Sequence, residues 1–349
     1  MNGKKVNMKA VFVKEQKQVS VNEVPIPSVG NGDVLVRMKA CGLCGSDLEK
    51  VYGSYGMISN RLGHEPAGVI ESVGKNVDGF YVGERVFVHH HVPCYSCHYC
   101  KHEDYTMCPY YQKSNIHPCG LAEAFLVPEW NVSRGALIKL PDSVSFEEAA
   151  MIEPLACCIR AIKKVDIINF DDFAVIGVGP AGMMHVLLAK AYGVRKVFAC
   201  DINRFRLDFA KKMGCELALD MNNEHVSEII RDATDGRGVD VVVVATGNPK
   251  AFLQSLEFAR SGGKVVLFGV PPLGSTVQLD VNKIFSNEIR LIPSFAASEN
   301  ETREALELIR TKRVDIKSTI THRFSLDRAA DAIRCAHEAN DAMKVVVTS

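Results

Sequence analysis

The chain has no long apolar run. Nothing in it approaches the roughly 20 residues that a membrane-crossing helix needs, so a membrane is not an expected partner. It has no excess of either charge, with Lys plus Arg at 41 and Asp plus Glu at 41. A balanced chain exerts no general pull on nucleic acid or anionic lipid, so neither is expected to bind. The opening residues, MNGKKVNMKA, lack the apolar core of a secretory signal, and the expected compartment is the cytoplasm. No internal repeat and no low-complexity tract is visible, so neither a solenoid nor a long linker is indicated.

What is present is a globular composition, 47% hydrophobic and 23% charged, over 349 residues, enough for two domains. Twelve cysteines stand in a chain expected to meet a reducing compartment. Four are crowded into CYSCHYCKHEDYTMC at 94–108. Such spacing suits a metal better than a disulfide framework. Cys94, Cys97, Cys100 and Cys108 can give four thiolates to one tetrahedral zinc and close it to water. A closed site is structural, so the chemistry must lie elsewhere.

Up to about residue 90 the chain alternates like strands (KAVFVKEQKQVSVNEV, DVLVRMKACG, AGVIESVG, ERVFVHHHVPC) between turn-rich breaks, the pattern of an antiparallel, barrel-like lobe. Ser145 with Glu148 three positions on has the spacing of a capping box. From 172 the rhythm becomes strand–helix–strand: DFAVIGV, GPAGMMHVLLAKAYGV, KVFACD, NRFRLDFAKKMG, LALD, EHVSEIIRDATDG, VDVVVVAT, the helical NPKAFLQSLEFARSGG and then KVVLFGV. That alternation predicts a parallel sheet with helices on both faces. Helices and a final strand, KVVVTS, follow.

Within VIGVGPAGMMH, Gly177, Gly179 and Gly182 stand in G-x-G-x-x-G register between a strand and a helix, with Asp201 ending the next strand. Gly177 permits the tight turn, Gly179 the approach of a pyrophosphate, and Gly182 close helix–strand packing. With Pro180 and Ala181 between them, they open a helix whose free N–H groups suit phosphate. Asp201 would hold the adenosine ribose and repel a 2′-phosphate, which favours NAD over NADP. Arg204 and Arg206 nearby weaken that preference. A dinucleotide carries hydride and needs something to polarise a substrate oxygen. Cys44, His64 and Glu65, in GLCGSDLE and RLGHEPAG, offer the ligands of a catalytic zinc with one position left open. Asp47 could orient His64, and Glu153 in MIEPLACC could ligate zinc or hold its water.

CGLCGSD, GHEPAGVIESVG, the four-cysteine lobe, KLPDSVSFEEAAMIEPLAC, VIGVGPAG and CDINRFRL run in one order over nearly the whole chain. Together they resemble the zinc-containing medium-chain dehydrogenases. Gly45-Ser46-Asp47 and the residues around Glu153 are similar to the polyol (sorbitol-type) and threonine branches. The resemblance implies a Rossmann doubly wound sheet inserted in a GroES-like, mainly β catalytic domain. Its limits would be 1–156 for the catalytic domain with a zinc lobe at 92–110, 157–290 for the dinucleotide domain and 291–349 for the return. It implies two zincs per chain. Cys44, His64 and Glu65 would be the catalytic ligands, and Glu153 the fourth ligand or water holder. Ser46 would be a proton relay, and Thr246, Gly247, Gly269 and Val270 would meet nicotinamide or ribose. A homodimer or homotetramer and an alcohol, polyol or ketone substrate are expected with it.

There are departures from the family pattern. Glu49 stands where many relatives have a histidine, so a carboxylate–water route would end the relay. PSFAASEN lacks the Arg-Tyr pair that grips a sugar alcohol, and KVYGSYG changes an aromatic pair. The histidines at 89–91 are expected as a strand end with solvated rings, with a pocket role as the alternative. Threonine, a primary alcohol or a phosphorylated sugar are rival substrates. A dinucleotide-binding protein without turnover is the rival of another class.

Overall fold

The structure is a computed structural model that describes residues 6–53, 59–223 and 225–349. The chain divides into two compact units. One comprises Met1–Ala156, Ala296–Lys312 and Ile316–Ser349; the other comprises Cys157–Phe295 and Arg313–Asp315.

The first unit begins with an antiparallel pair, β1 (Asn7–Glu15) and β2 (Gln18–Pro25). There follow β3 (Val34–Gly42), β4 (Glu65–Val73), β5 (Arg85–Val88), β6 (Ala124–Val127) and β7 (Leu137–Lys139). A helix, Gly45–Tyr52, leads away from β3. Val34, Val36 and Met38 of β3 join Val86, Val88 and Phe125 in one apolar core, while Leu35, on the alternate face, is buried in a second cluster with Met8, Ala10 and Ala122, so β3 is covered on both sides over this stretch.

The second unit holds β8 (Asp172–Ile176), β9 (Lys196–Asp201), β10 (Leu217–Asp220), β11 (Val239–Val244), β12 (Ala259–Leu267) and β13 (Arg290–Pro293). All pair in parallel, in the order β10-β9-β8-β11-β12-β13. β8 and β11 are buried along their whole length, as central parallel strands are. The chain reverses its direction of growth between β8 and β11, the switch point at which such sheets bind ligands. Two boundaries differ from the sequence expectation. β13 completes this sheet, so 291–295 stay with the second unit instead of opening the return. The helix Pro249–Phe258 ends where β12 begins, so the ARSGG that followed it is strand. Ala259 pairs with Val239 of β11, and a register shift separates it from the main pairing, which starts at Lys264.

The chain then returns to the first unit with the helix Glu299–Arg310, β14 (Ile320–Ser325), the helix Ala329–Glu338 and β15 (Lys344–Thr348). β15 pairs in parallel with β14 and antiparallel with β3. It enters a mixed sheet of order β14-β15-β3-β4-β5-β7, with β6 also on β3. This register sets the last strand beside the end of β3, where Gly42 faces Glu65.

Candidate active site

Cys44 is the residue before the helix Gly45–Tyr52 and caps it in extended backbone. Asp47 closes the box by accepting the Cys44 N–H, 3.2 Å from Oδ2. Its other oxygen accepts the Gly63 N–H at 3.0 Å and lies 3.5 Å from Nδ1 of His64. Gly63 has φ +78, and a Cβ there would come within 2.7 Å of the Leu121 backbone nitrogen, so this bend admits only glycine. Asp47 thereby sets the His64 ring and leaves Nε2 facing inward, 4.0 Å from Glu153 Oε2. Ligand atoms of Cys44, His64 and Glu65 lie within 4.8 Å of one another.

Electrostatics match this geometry. Burial works against the charge of Asp47, but His64, Lys50 and the Gly63 N–H together hold its carboxyl well below the usual range. Burial likewise opposes a charged His64, yet Asp47 and Cys44 hold its ring well above the ordinary histidine value. Burial pushes the Glu65 carboxyl up against the pull of Lys344 and His64. Lys344 was not legible as a site residue. Its ammonium donates to both Glu65 oxygens at 2.9 and 2.7 Å, and both groups are buried. A Cβ on Gly42 would fall 1.8 Å from Glu65 Oε2, so a glycine there makes room for the carboxylate. The available signal was a lysine opening an otherwise apolar strand.

Ser46 and Glu49 are half-buried and three apart on the helix that Cys44 caps, hence on one face. Glu153 sits in the first turn of the helix Ile152–Lys163 and is buried. The expectation of solvated histidines at 89–91 is overturned. His89 is fully buried, and the other two are partly so, because the chain turns inward after β5. Burial, with His91 and His64 beside it, drives the His90 ring well below the ordinary histidine value, and burial lowers His91 to about 4. Of the altered aromatic pair, Tyr52 ends the helix Gly45–Tyr52 and stacks on His337 at 3.6 Å, whereas Tyr55 and the rest of 54–58 lie outside the described residues.

In the lobe, the sulfurs of Cys94, Cys97, Cys100 and Cys108 converge within 4.8 Å, and none is in a disulfide. Cys94 and Cys100 sulfurs are 3.9 Å apart, and those of Cys97 and Cys100 are 3.6 Å apart. A tetrahedron with metal–sulfur bonds of about 2.3 Å has edges near 3.8 Å, so the spacing fits zinc. The Ser96 hydroxyl, with the Ser96 and Cys97 N–H groups, donates to the Cys94 sulfur and lowers that thiol to about 6, whereas burial pushes Cys100 up to about 12.

In the second unit, Gly177 turns at φ +86 and a Cβ on Gly182 would lie 1.9 Å from the Gly177 carbonyl oxygen. Gly179 caps the helix Pro180–Ala191, with Pro180 in its first turn and Ala181 next. Asp201 is buried at the end of β9 and accepts the Val178 and Asn203 N–H groups at 2.8 and 2.9 Å. Arg206 stands 3.7 Å from Asp201, and its guanidinium is 3.4 Å from where a Gly179 Cβ would be. Arg204 instead reaches Asp208 on its own helix, so it is not part of this cradle. Thr246 and Gly247 follow β11, and a Cβ on Gly269 would lie 2.3 Å from the Thr246 carbonyl carbon. Val270 is exposed beside them. At Gly182 and Gly269 a Cβ would collide with backbone, so glycine there permits the close packing of the turn.

Two family models match the chain. Residues 30–142 match the one described as alcohol dehydrogenase GroES-like domain, and 180–311 the one described as zinc-binding dehydrogenase. A sorbitol dehydrogenase of Bacillus subtilis (strain 168) is 34% identical over 98% of this chain and 97% of its own length. The chain belongs to the zinc-containing medium-chain alcohol and polyol dehydrogenases.

An L-threonine 3-dehydrogenase of Sinorhizobium fredii is 30% identical over 98% of this chain and 99% of its own. Among solved structures, a zinc-binding dehydrogenase from Sinorhizobium meliloti 1021, described as bound to NADP, superposes with TM-score 0.88 at 29% identity, covering 99% and 100% of the two chains. As a medium-chain dehydrogenase the protein works with zinc and a nicotinamide dinucleotide, on small alcohols or ketones. Its own donor sets and glycine cradle fit those groups on the geometry just described. No helix among the described residues is long and apolar enough to cross a membrane.

Proposed function

We propose that this dehydrogenase interconverts a secondary alcohol or polyol and its ketone, with NAD preferred over NADP. The observation that carries this is the set Cys44, His64 and Glu65 within 4.8 Å, with the His64 ring set by Asp47. When bound, zinc supplies Lewis acidity that makes the alcohol proton easier to lose, and the dinucleotide supplies the hydride acceptor. The protein's part is orientation and proton handling. Asp47 keeps Nε2 of His64 as the ligand atom. Lys344 keeps Glu65 charged in a buried setting, and Glu153 serves as fourth ligand or water holder. Ser46 takes the substrate proton, and Glu49, on the same helix face, passes it outward through water. At the other site, Gly177, Gly179 and Gly182 seat the pyrophosphate, Asp201 holds the ribose, and Thr246, Gly247, Gly269 and Val270 line the nicotinamide end. Asp201 disfavours a 2′-phosphate by like charge, and Arg206 beside it leaves some use of NADP.

The segment PSFAASEN carries no Arg-Tyr pair, which argues for a smaller or less hydroxylated substrate than sorbitol. Threonine is the second reading, favoured by the similarity to threonine 3-dehydrogenases. A cytoplasmic homodimer or homotetramer accompanies this function.

A panel of polyols, 1,2-diols, threonine and simple secondary alcohols, each with NAD and with NADP and followed at the NADH absorbance band, tests the proposal. Turnover of a diol or polyol is expected, together with its loss in Cys44→Ser while NADH still binds. Full activity of Cys44→Ser, or a wild type carrying only the lobe's zinc, would refute it and favour a binding protein without turnover.

A further inference from the structure

His89, His90 and Glu153 place two imidazoles and a carboxylate with ligand atoms within 4.8 Å of one another. The first of these rings is tightly held. His89 Nδ1 lies 2.7 Å from Glu299 Oε1, and the Tyr95 hydroxyl donates to the other oxygen of that carboxylate. A carboxylate that accepts from both takes the His89 proton on Nδ1, and in the neutral ring this leaves the Nε2 lone pair for a metal. That Nε2 is buried and has no hydrogen-bond partner, and the same holds for Nδ1 of His90. Native structures rarely leave two such nitrogens unsatisfied side by side. A carboxylate–imidazole pair that leaves the ring's other nitrogen unpartnered, next to a second imidazole and an acid, is how metal-ligating histidines are held.

We propose that His89, His90 and Glu153 form a further cation position for a divalent transition metal such as zinc, beside the Cys44–His64–Glu65 set and sharing Glu153 with it. The two positions are near neighbours. His64 Nε2 is 4.0 Å from Glu153 Oε2, and the His64 and His90 rings are 5.1 Å apart. Two imidazoles select zinc or cobalt over magnesium and calcium, which take oxygen ligands. An ion here draws Glu153 away from His64, so excess zinc slows the reaction proposed above. The position itself rests on its own residues and not on that reaction.

The test is equilibrium dialysis of the holoprotein against graded free zinc or Co(II), with metal analysis and a visible spectrum. One equivalent beyond the two cysteine-containing sets is expected, without a new thiolate-to-cobalt band. His90→Gln abolishes it, and Glu299→Ala weakens it about 10–100-fold. His98→Ala leaves it in place; the His98 and His102 rings, 4.3 Å apart on the lobe surface, are the alternative home for a stray ion. Zinc inhibition disappears in His90→Gln together with the extra equivalent. Saturation at two ions, unchanged uptake in His90→Gln, loss in His98→Ala, or equal competition by magnesium would overturn the proposal. A wild type that starts with one zinc counts against the dehydrogenase reading, while the increment that depends on His90 is still measured separately.

Discussion

Glu65 is a carboxylate with no exposed surface, and its counter-charge is a single buried lysine. Removing one partner of such a pair leaves a charge stranded, whereas removing both can be nearly neutral. Lys344→Met is therefore expected to lower the stability of the zinc-free protein by about 3–5 kcal/mol in urea unfolding. The double variant Lys344→Met with Glu65→Leu should recover most of the loss. His185 is a different case. It is fully buried in the helix Pro180–Ala191, packed edge-on against Phe268 at 4.6 Å, and neither ring nitrogen has a partner. Burial alone drives it down to about 3. The unfolded chain takes up this proton below about pH 6.5 and the folded chain only near 3, so stability falls as pH drops through that window. The slope is at most about 1.4 kcal/mol per pH unit. His185→Leu should flatten the difference between unfolding curves at pH 7 and pH 5 and leave the variant at least as stable at pH 7.

At the scale of elements, the helix Glu299–Arg310 starts with a box in which Ser298 and Glu301 satisfy each other, and both are buried. Ser298→Ala is expected to cost about 1–2 kcal/mol in chemical denaturation. The lobe is expected to depend on a metal, because the only buried members of its apolar cluster among the described residues are Cys100, Cys108 and Tyr111. A strong chelator should erase hydrogen-exchange protection at 94–111 while β8 and β11 keep theirs. These elements also show what could be read in advance. The glycine turn, the four-cysteine lobe and the box at Ser145 lie within short stretches, so spacing alone reveals them. The helix Gly45–Tyr52 escaped notice because it is short and opens with Gly-Ser, poor helix formers inside a strand-rich stretch. The partnerships of Lys344 with Glu65 and of Glu299 with His89 span 279 and 210 residues. No local pattern encodes such pairs; they exist only once β15 lies against β3 and the chain has returned after β13.

At the scale of the molecule, each unit has its own apolar core, one built on β3 and its neighbours and the other on β8 and β11. Ligands that occupy different units should therefore move different parts of a calorimetric trace. NADH at 100 times its Kd is expected to stabilise the unit of β8–β13 by about 2.7 kcal/mol, in wild type and in Cys44→Ser alike. A single transition shifted equally by NADH and by chelator would contradict this independence. Lys344 has one more consequence, and it concerns time. A ribosome releases Cys44, His64 and Glu65 long before it reaches Lys344, 279 residues beyond Glu65. Over those 279 residues of synthesis the nascent chain holds a would-be ligand set without the cation that balances it. The strand that delivers that cation also has to slot between β14 and β3. The reaction centre is thus finished only once the ribosome has passed Lys344, and a chain truncated just before that residue would carry nearly every motif of a dehydrogenase and still lack a completed site.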